Sequence, residues 1–356
     1  MINSAQDQSC NKTYVASVNR SRYVLRSLAY IAPHIQHELR VLTDDFEMSH
    51  PPATDHGSSA LDLVHYLHPS TPWTVQWYTA QNPLPPSLQN NSNIQWTASS
   101  VMSRTSKTFS VCVLFADLSI CWFSVTTPVP VPSHQPTLGN FNDRFLVTCQ
   151  ASYLPRPQPL DHDTLVAAHY AYGSLIADFA EQFAATRKVC ARGECWDLAN
   201  EALKHAAQQH PSAPPIGSLS RTHGHLIYSG RADGVGRWRG GDDRVRRGDI
   251  AEWRTARLRT PDGGWATLGD PDHTAIITRD TVPLRASADG VALGPAELGA
   301  LEVVEQSVGS PPQRRTYALS GLEQGELWIY RPVAMGTYVG AEFGPSVPQG
   351  VGVLSL

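Results

Sequence analysis

The order of periodic segments between residues 162 and 332 limits the fold more than any other feature of this chain. In "HDTLVAAHYAYGSLIADFAEQFAAT" (162–186) apolar residues recur at three- and four-residue steps. Leu165, Ala168, Tyr172, Leu175, Ile176, Phe179 and Phe183 make one buried helical stripe, with Asp163 or Thr164 as the cap. "ECWDLANEALKHA" (194–206) repeats the pattern through Trp196, Ala199, Leu203 and Ala206, and Gly193 breaks the run before it. A Pro-rich break at 211–215 follows, and the pattern then turns to strands: "GDIAEWRTARL" (248–258), "DHTAIIT" (272–278), "ALEVVEQSV" (300–308) and "GELWIYRP" (325–332). Helices first and strands afterwards predict an α+β domain with an antiparallel sheet, because an α/β fold alternates the two.

Upstream, "PWTVQWYTA" (72–80) alternates as a strand, and "TFSVCVLFADLSICWFSVTT" (108–127) reads as two strands folded around Ala116 and Asp117. "PVPVPSHQP" is a polyproline-like spacer. Residues 1–60 have no sustained period and end in the breakers "MSHPPATDHGSS", with one short helical pattern in "VLRSLAYIAPHIQHEL" that Pro33 interrupts. The predicted organisation is a largely disordered head (1–60), a small β-rich segment (70–130), the α+β domain (160–335) and a C-terminal tail (336–356).

Net charge of −4 gives no electrostatic ground for a nucleic-acid partner or an anionic membrane. The most basic run, "RWRGGDDRVRRGD" (237–249), is interleaved with Asp and Gly and reads as a solvated loop. The six cysteines (Cys10, Cys112, Cys121, Cys149, Cys190, Cys195) include no Cys-x-x-Cys pair and have no histidines at zinc-site spacing, so neither a metal nor another cofactor is expected. The longest apolar stretch, "VCVLFADLSICWFSV", is interrupted by Asp117 and too short to span a bilayer. The first residues hold no apolar segment of signal-peptide type, which predicts a cytoplasmic protein with reduced thiols.

Cys195 stands at the start of the second helical pattern, where unpaired N–H groups and the helix dipole favour a thiolate. A reactive thiol needs an imidazole to take and return a proton and a carboxylate to hold the tautomer. His273 opens the strand "HTAIIT", at the edge of a core, and in "LEVVEQS" the residues Leu301, Val303, Glu305 and Ser307 share one face. Cys195, His273 and Glu305 are therefore the candidate catalytic residues, against ordinary packing roles for each. Ser307 is a candidate second support, and Glu194 a candidate whose first-turn position is also explained by the dipole alone.

The segments "GECWDLA", "GDIAEW", "DHTAII" and "VVEQS" resemble papain-fold thiol hydrolases of the CHAP type, the cysteine, histidine-dependent amidohydrolases/peptidases. In that pattern a Cys begins a central helix, a Gly-Asp-Ile/Val strand precedes the His strand, and Glu-x-Asn closes the site; here Ser307 stands at the Asn position. The order of "QWYTAQNPLPPSL", "VLFADLSICWFSV", "GSLIADFAEQFA", "GECWDLANEAL", "GDIAEWRTARL", "GDPDHTAIIT" and "LWIYRP" is similar to the C-terminal cysteine-proteinase-fold domain of fungal cortical actin-patch proteins, the myosin-tail-region-interacting and altered-inheritance-of-mitochondria proteins. The resemblance implies a papain-like fold, with either thiol hydrolysis of an amide or peptide bond or a catalytically silent interaction module. It also implies a peptide or protein partner of the actin and endocytic cortex.

Overall fold

The computed structural model describes residues 54–68, 83–91, 93–128, 147–239, 242–284 and 290–356. The helix expected within 24–39 and the strand expected at 72–80 lie outside them. The chain divides into two units, Met1–Arg156 with Glu342–Leu356, and Pro157–Ala341.

In the first unit β1 (Ile94–Met102), β2 (Ser106–Phe115), β3 (Ile120–Pro128) and β4 (Thr148–Leu154) form an antiparallel meander. Helix α1 (Ser59–Leu67) lays Ala60, Leu63, Val64 and Leu67 on Val111, Val113 and Phe115, alternate residues of β2. Asp117 is the turn former expected between β2 and β3, and it also reaches α1. One carboxylate oxygen accepts from the Ser119 N–H at 3.0 Å, the other from the Ser59 N–H at 2.8 Å. The stretch 336–356, expected as a tail, carries secondary structure: residues from 342 onward return to this unit, where Leu354–Ser355 pairs with β4. A two-residue strand is too short to leave a periodic signal.

The second unit starts with α2 (His162–Ala168), a π turn at His169–Gly173, and α3 (Ser174–Thr186), all within the predicted 162–186 helix. Its cap is Asp161, whose carboxylate accepts from the Thr164 N–H at 2.8 Å, two residues before Asp163 and three before Thr164, the candidates chosen from sequence. The π turn lies where the helix backbone meets a tight turn. A Cβ on Gly248 (φ +90°) would sit 2.2 Å from the Gly173 carbonyl oxygen, and one on Gly173 would sit 2.6 Å from that of Arg247. Only two glycines allow this approach.

Helix α4 (Cys195–Gln209) follows, and then β5 (His225–Arg231), β6 (Gly236–Trp238), β7 (Ile250–Arg259), β8 (Trp265–Ile277), β9 (Ala300–Ser307), β10 (Ser310–Ala318) and β11 (Leu322–Arg331). They form one antiparallel sheet in the order β10-β9-β8-β7-β11-β5-β6. This is the predicted α+β arrangement. The core lies between Leu198, Ala199, Ala202, Leu203 and Ala206 of α4, Ile176 and Ala180 of α3, and Ile250, Ile276 and Val304 of the sheet. Trp196, expected in that stripe, is only half-buried, and its indole N–H donates to the Ser220 carbonyl at 2.9 Å.

The run 237–249 is not the solvated loop expected. Trp238, Asp242 and Asp249 are buried around Arg331, which β11 carries to a position with 0% exposure. Arg331 donates to both oxygens of Asp249, at 2.7 and 2.8 Å, and also to Asp242, which accepts from Arg246 at 2.6 Å as well. The charge pattern was solvated-looking because the partner lies over eighty residues away in sequence. Arg331→Met would leave two buried carboxylates short of a cation. We expect a loss of about 3–5 kcal/mol, read from the denaturant midpoint; a loss under about 1 kcal/mol would show that the aspartates do not depend on it.

Candidate active site

Cys195 is the first residue of α4, and Glu194 is its N-cap, in an extended conformation (φ −81°, ψ 153°). The turn before it is built by Asp197, which is nearly fully buried. One Asp197 oxygen accepts from the N–H groups of Arg192 (2.9 Å) and Glu194 (3.2 Å), and the other accepts from the Arg192 guanidinium at 2.8 Å. Gly193 supplies the left-handed step (φ +91°) that such a turn requires. The Glu194 carboxylate lies 3.3 Å from the Arg192 guanidinium, which ties it to the helix entry.

His273 comes from β8. That strand pairs with β7 through Trp253 opposite His273, but with β9 only at residues 275–277. N-terminal to Ala275 the two strands part, and His273 stands at the parting. Its Nε2 lies 2.9 Å from Oε2 of Glu305, and both side chains are nearly closed to solvent, with residue exposures of 7% and 9%. The Cys195 thiol lies close enough to the same imidazole to raise its proton affinity. Nε2 being engaged by Glu305, Nδ1 is the nitrogen left for the thiol. The sulfur also lies 4.0 Å from the Asp272 carbonyl oxygen. Burial alone would strip the imidazole of its proton, but the adjacent Cys195 thiol and the hydrogen-bonded Glu305 carboxylate outweigh it and lift His273 to about 10.

Ser307 is exposed at the end of β9 and pairs with Ser310 across the hairpin. The second support that sequence reading sought there is supplied by a residue it missed: Tyr317 on β10 donates its phenol O–H to Oε1 of Glu305 at 2.7 Å. Burial first, and the adjacent carboxylate second, push that phenol far above its ordinary range. Arg315 brings a guanidinium to 3.9 Å from the same oxygen. The signal that could have found them is the Val308-Gly309 turn, which folds "SPPQRRTYA" back on β9 so that Gln313 opposes Glu305 and Arg315 and Tyr317 follow on the same face.

A second polar chain runs beside the site. Ser218 Oγ lies 2.8 Å from His223 Nδ1, His223 Nε2 lies 3.3 Å from Glu252, and Thr274 donates to Glu252 at 2.7 Å. His223 is fully buried, and burial pushes it down to about 3; burial likewise pushes Glu252 up. With no exposed ring this chain ties the 218–223 turn to the β7 and β8 pair. Among the described residues, His162, Asp242 and Asp243 bring ligand atoms within 4.8 Å of one another. Both oxygens of Asp242 already accept from arginine, which leaves that group unsuited to a cation. No described helix is long and apolar enough to cross a membrane.

A helix-borne cysteine at an antiparallel sheet that carries a histidine and a glutamate defines the class of the cysteine-proteinase fold. More narrowly, the profile of the AIM3/BBC1 cysteine proteinase-fold domain matches residues 150–343, and the chain belongs to that family. It is 28% identical over 190 residues to altered inheritance of mitochondria protein 3 of Debaryomyces hansenii. The aligned region is 51% of this chain and 18% of the relative, so less than a fifth of that protein is represented. No solved structure matches the chain.

Since folding raises the proton affinity of His273 from about 6.5 to about 10, the stability this gives is complete below about pH 6.5 and lost as pH rises through about 10. Glu305→Gln removes one source of that shift. The difference in unfolding midpoint between the parent and Glu305→Gln should therefore shrink between pH 7 and pH 10.5. An equal difference at both would mean that Glu305 does not stabilise the imidazolium.

Proposed function

We propose that this chain is a thiol hydrolase of amide or peptide bonds, with Cys195 as nucleophile, His273 as general base and acid, and Glu305 as orienter. The observation that carries the reading is the imidazole set between the Cys195 thiol and Glu305, with its Nε2 held at 2.9 Å. In the first step the proton of the thiol resides on His273 and the sulfur attacks the substrate carbonyl carbon. The tetrahedral oxyanion is within the province of the first helical N–H groups, which have no partner inside the helix. Collapse breaks the C–N bond, and His273 delivers its proton to the departing amine, leaving a thioester on Cys195. Water then gives a proton to His273 as its oxygen attacks the thioester. Collapse expels the sulfur, which recovers that proton, and releases a carboxylic acid. The chemistry calls for no metal or organic cofactor.

The competing reading is a catalytically silent module that binds a protein of the actin and endocytic cortex. Ser307 favours it, because an exposed serine stands where the resembled pattern has an amide. The resemblance to cortical actin-patch proteins supports a peptide or protein as substrate or partner, and a cytoplasmic setting at cortical patches.

An electrophilic peptide probe that acylates or alkylates catalytic thiols separates the two. We expect modification at Cys195, abolished by His273→Ala and absent at the buried Cys112, whose thiol burial pushes up to about 12. Labelling of Cys195 that His273→Ala leaves unchanged would contradict catalysis. In cells, Cys195→Ala should behave as a null although it folds; full function of that variant would favour the module.

A further inference from the structure

We infer that Gln306 is the positioning residue for the Cys195 thiol, an inference that rests on the Cys195 and His273 site proposed above. Glu305 and Gln306 are neighbours on β9, so their side chains leave opposite faces of the sheet. Glu305 meets His273 on one face. On the other, Gln306 is 1% exposed and clasps the segment that leads into α4. Its Oε1 accepts from the Cys190 N–H at 2.7 Å, and its Nε2 donates to the carbonyls of Cys190 at 3.1 Å and Glu194 at 3.0 Å. Glu194 is the residue bonded to Cys195.

The segment needs this clasp. Ala191 takes a left-handed conformation (φ +49°) that a residue with a Cβ resists, and Gly193 follows at +91°. Left to local preference, residues 190–194 would relax and shift the first turn of α4. Only an amide satisfies the arrangement, since it presents an acceptor and two N–H donors on one planar group. A carboxylate keeps the acceptor and loses both donors; a thioether of equal length keeps the shape and loses the donors. Two adjacent residues of one strand thus fix the two halves of the site, Glu305 holding the imidazole and Gln306 holding the helix start that carries the thiol.

The test compares Gln306→Met and Cys195→Ala in the full chain, following the His273 titration by NMR and the rate of Cys195 alkylation at pH 7. Removing the thiol is expected to lower the His273 titration, since the thiol is one of the groups that raise it. If Gln306 positions the thiol, Gln306→Met reproduces most of that lowering with its far-UV spectrum intact, and Cys195 alkylation slows at least tenfold. A Gln306→Met protein that is folded and titrates as the parent overturns the inference. Should it fail to fold, Gln306→Asn, which adds no charge and whose amide is one methylene shorter, is expected to give the same lowering, and a parent-like titration there also overturns it. In the parent, the Cys190 amide should exchange with solvent only on global opening; fast exchange would mean that the clasp is not formed. The titration needs no turnover, so a parent inert to the peptide probe would defeat the proposed hydrolase without deciding this point.

Discussion

The site depends on where β8 and β9 stop pairing. Inside a continuous ladder His273 would face one side of the sheet and could not meet both the helix start and a carboxylate on the next strand. Because the ladder between these strands covers only residues 275–277, the imidazole occupies the opening just beyond it. Glu305 closes its Nε2, and Cys195 comes in with the first turn of α4. The opening is kept from collapsing by groups on either side of it. Tyr317 and Arg315 brace Glu305 from β10, and the buried His223, Glu252 and Thr274 chain braces β7 against β8. A buried ionic hydrogen bond is stable only when its remaining lone pairs are also satisfied, and here Glu305 has partners on both oxygens.

The same requirement governs the other end of the sheet. Arg331 is fully buried, and its guanidinium is matched by Asp249 and Asp242 with the Leu165 and Arg244 carbonyls as further acceptors. These bonds link β11, the 242–249 segment and the start of α2. They hold the platform on which β7 and β8 carry Glu252 and His273. The unit therefore relies on two buried polar centres as well as on the apolar layer between α3, α4 and the sheet.

What the sequence revealed follows from the range of the interactions involved. Helical period and alternation are local, so the helices at 162–186 and 194–206 and the strands containing "GDIAEW", "DHTAII", "VVEQS" and "LWIYRP" were legible, and with them the α+β class. Cys195 was legible as a helix start and His273 and Glu305 as polar types on strands, although His273 lies inside β8 and does not open it; their meeting depends on a strand parting that no local pattern encodes. Two prolines and two arginines hide the alternation of the strand "SPPQRRTYA", and Tyr317 with it. Asp242 and Asp249 look solvated in sequence for a related reason: their partner, Arg331, arrives from a distant strand. Trp196 fits the helical period, yet Asp197 takes the inward position because the entry to the helix needs a buried acceptor.

Neutron diffraction from deuterium-exchanged crystals of the chain tests the central claim most directly, because it locates the protons of His273 near neutral pH. The account predicts deuterium on both ring nitrogens, with the one on Nε2 directed at Oε2 of Glu305 and Nδ1 facing the Cys195 sulfur. A neutral ring with a bare Nε2, or a ring turned away from Glu305, would contradict it.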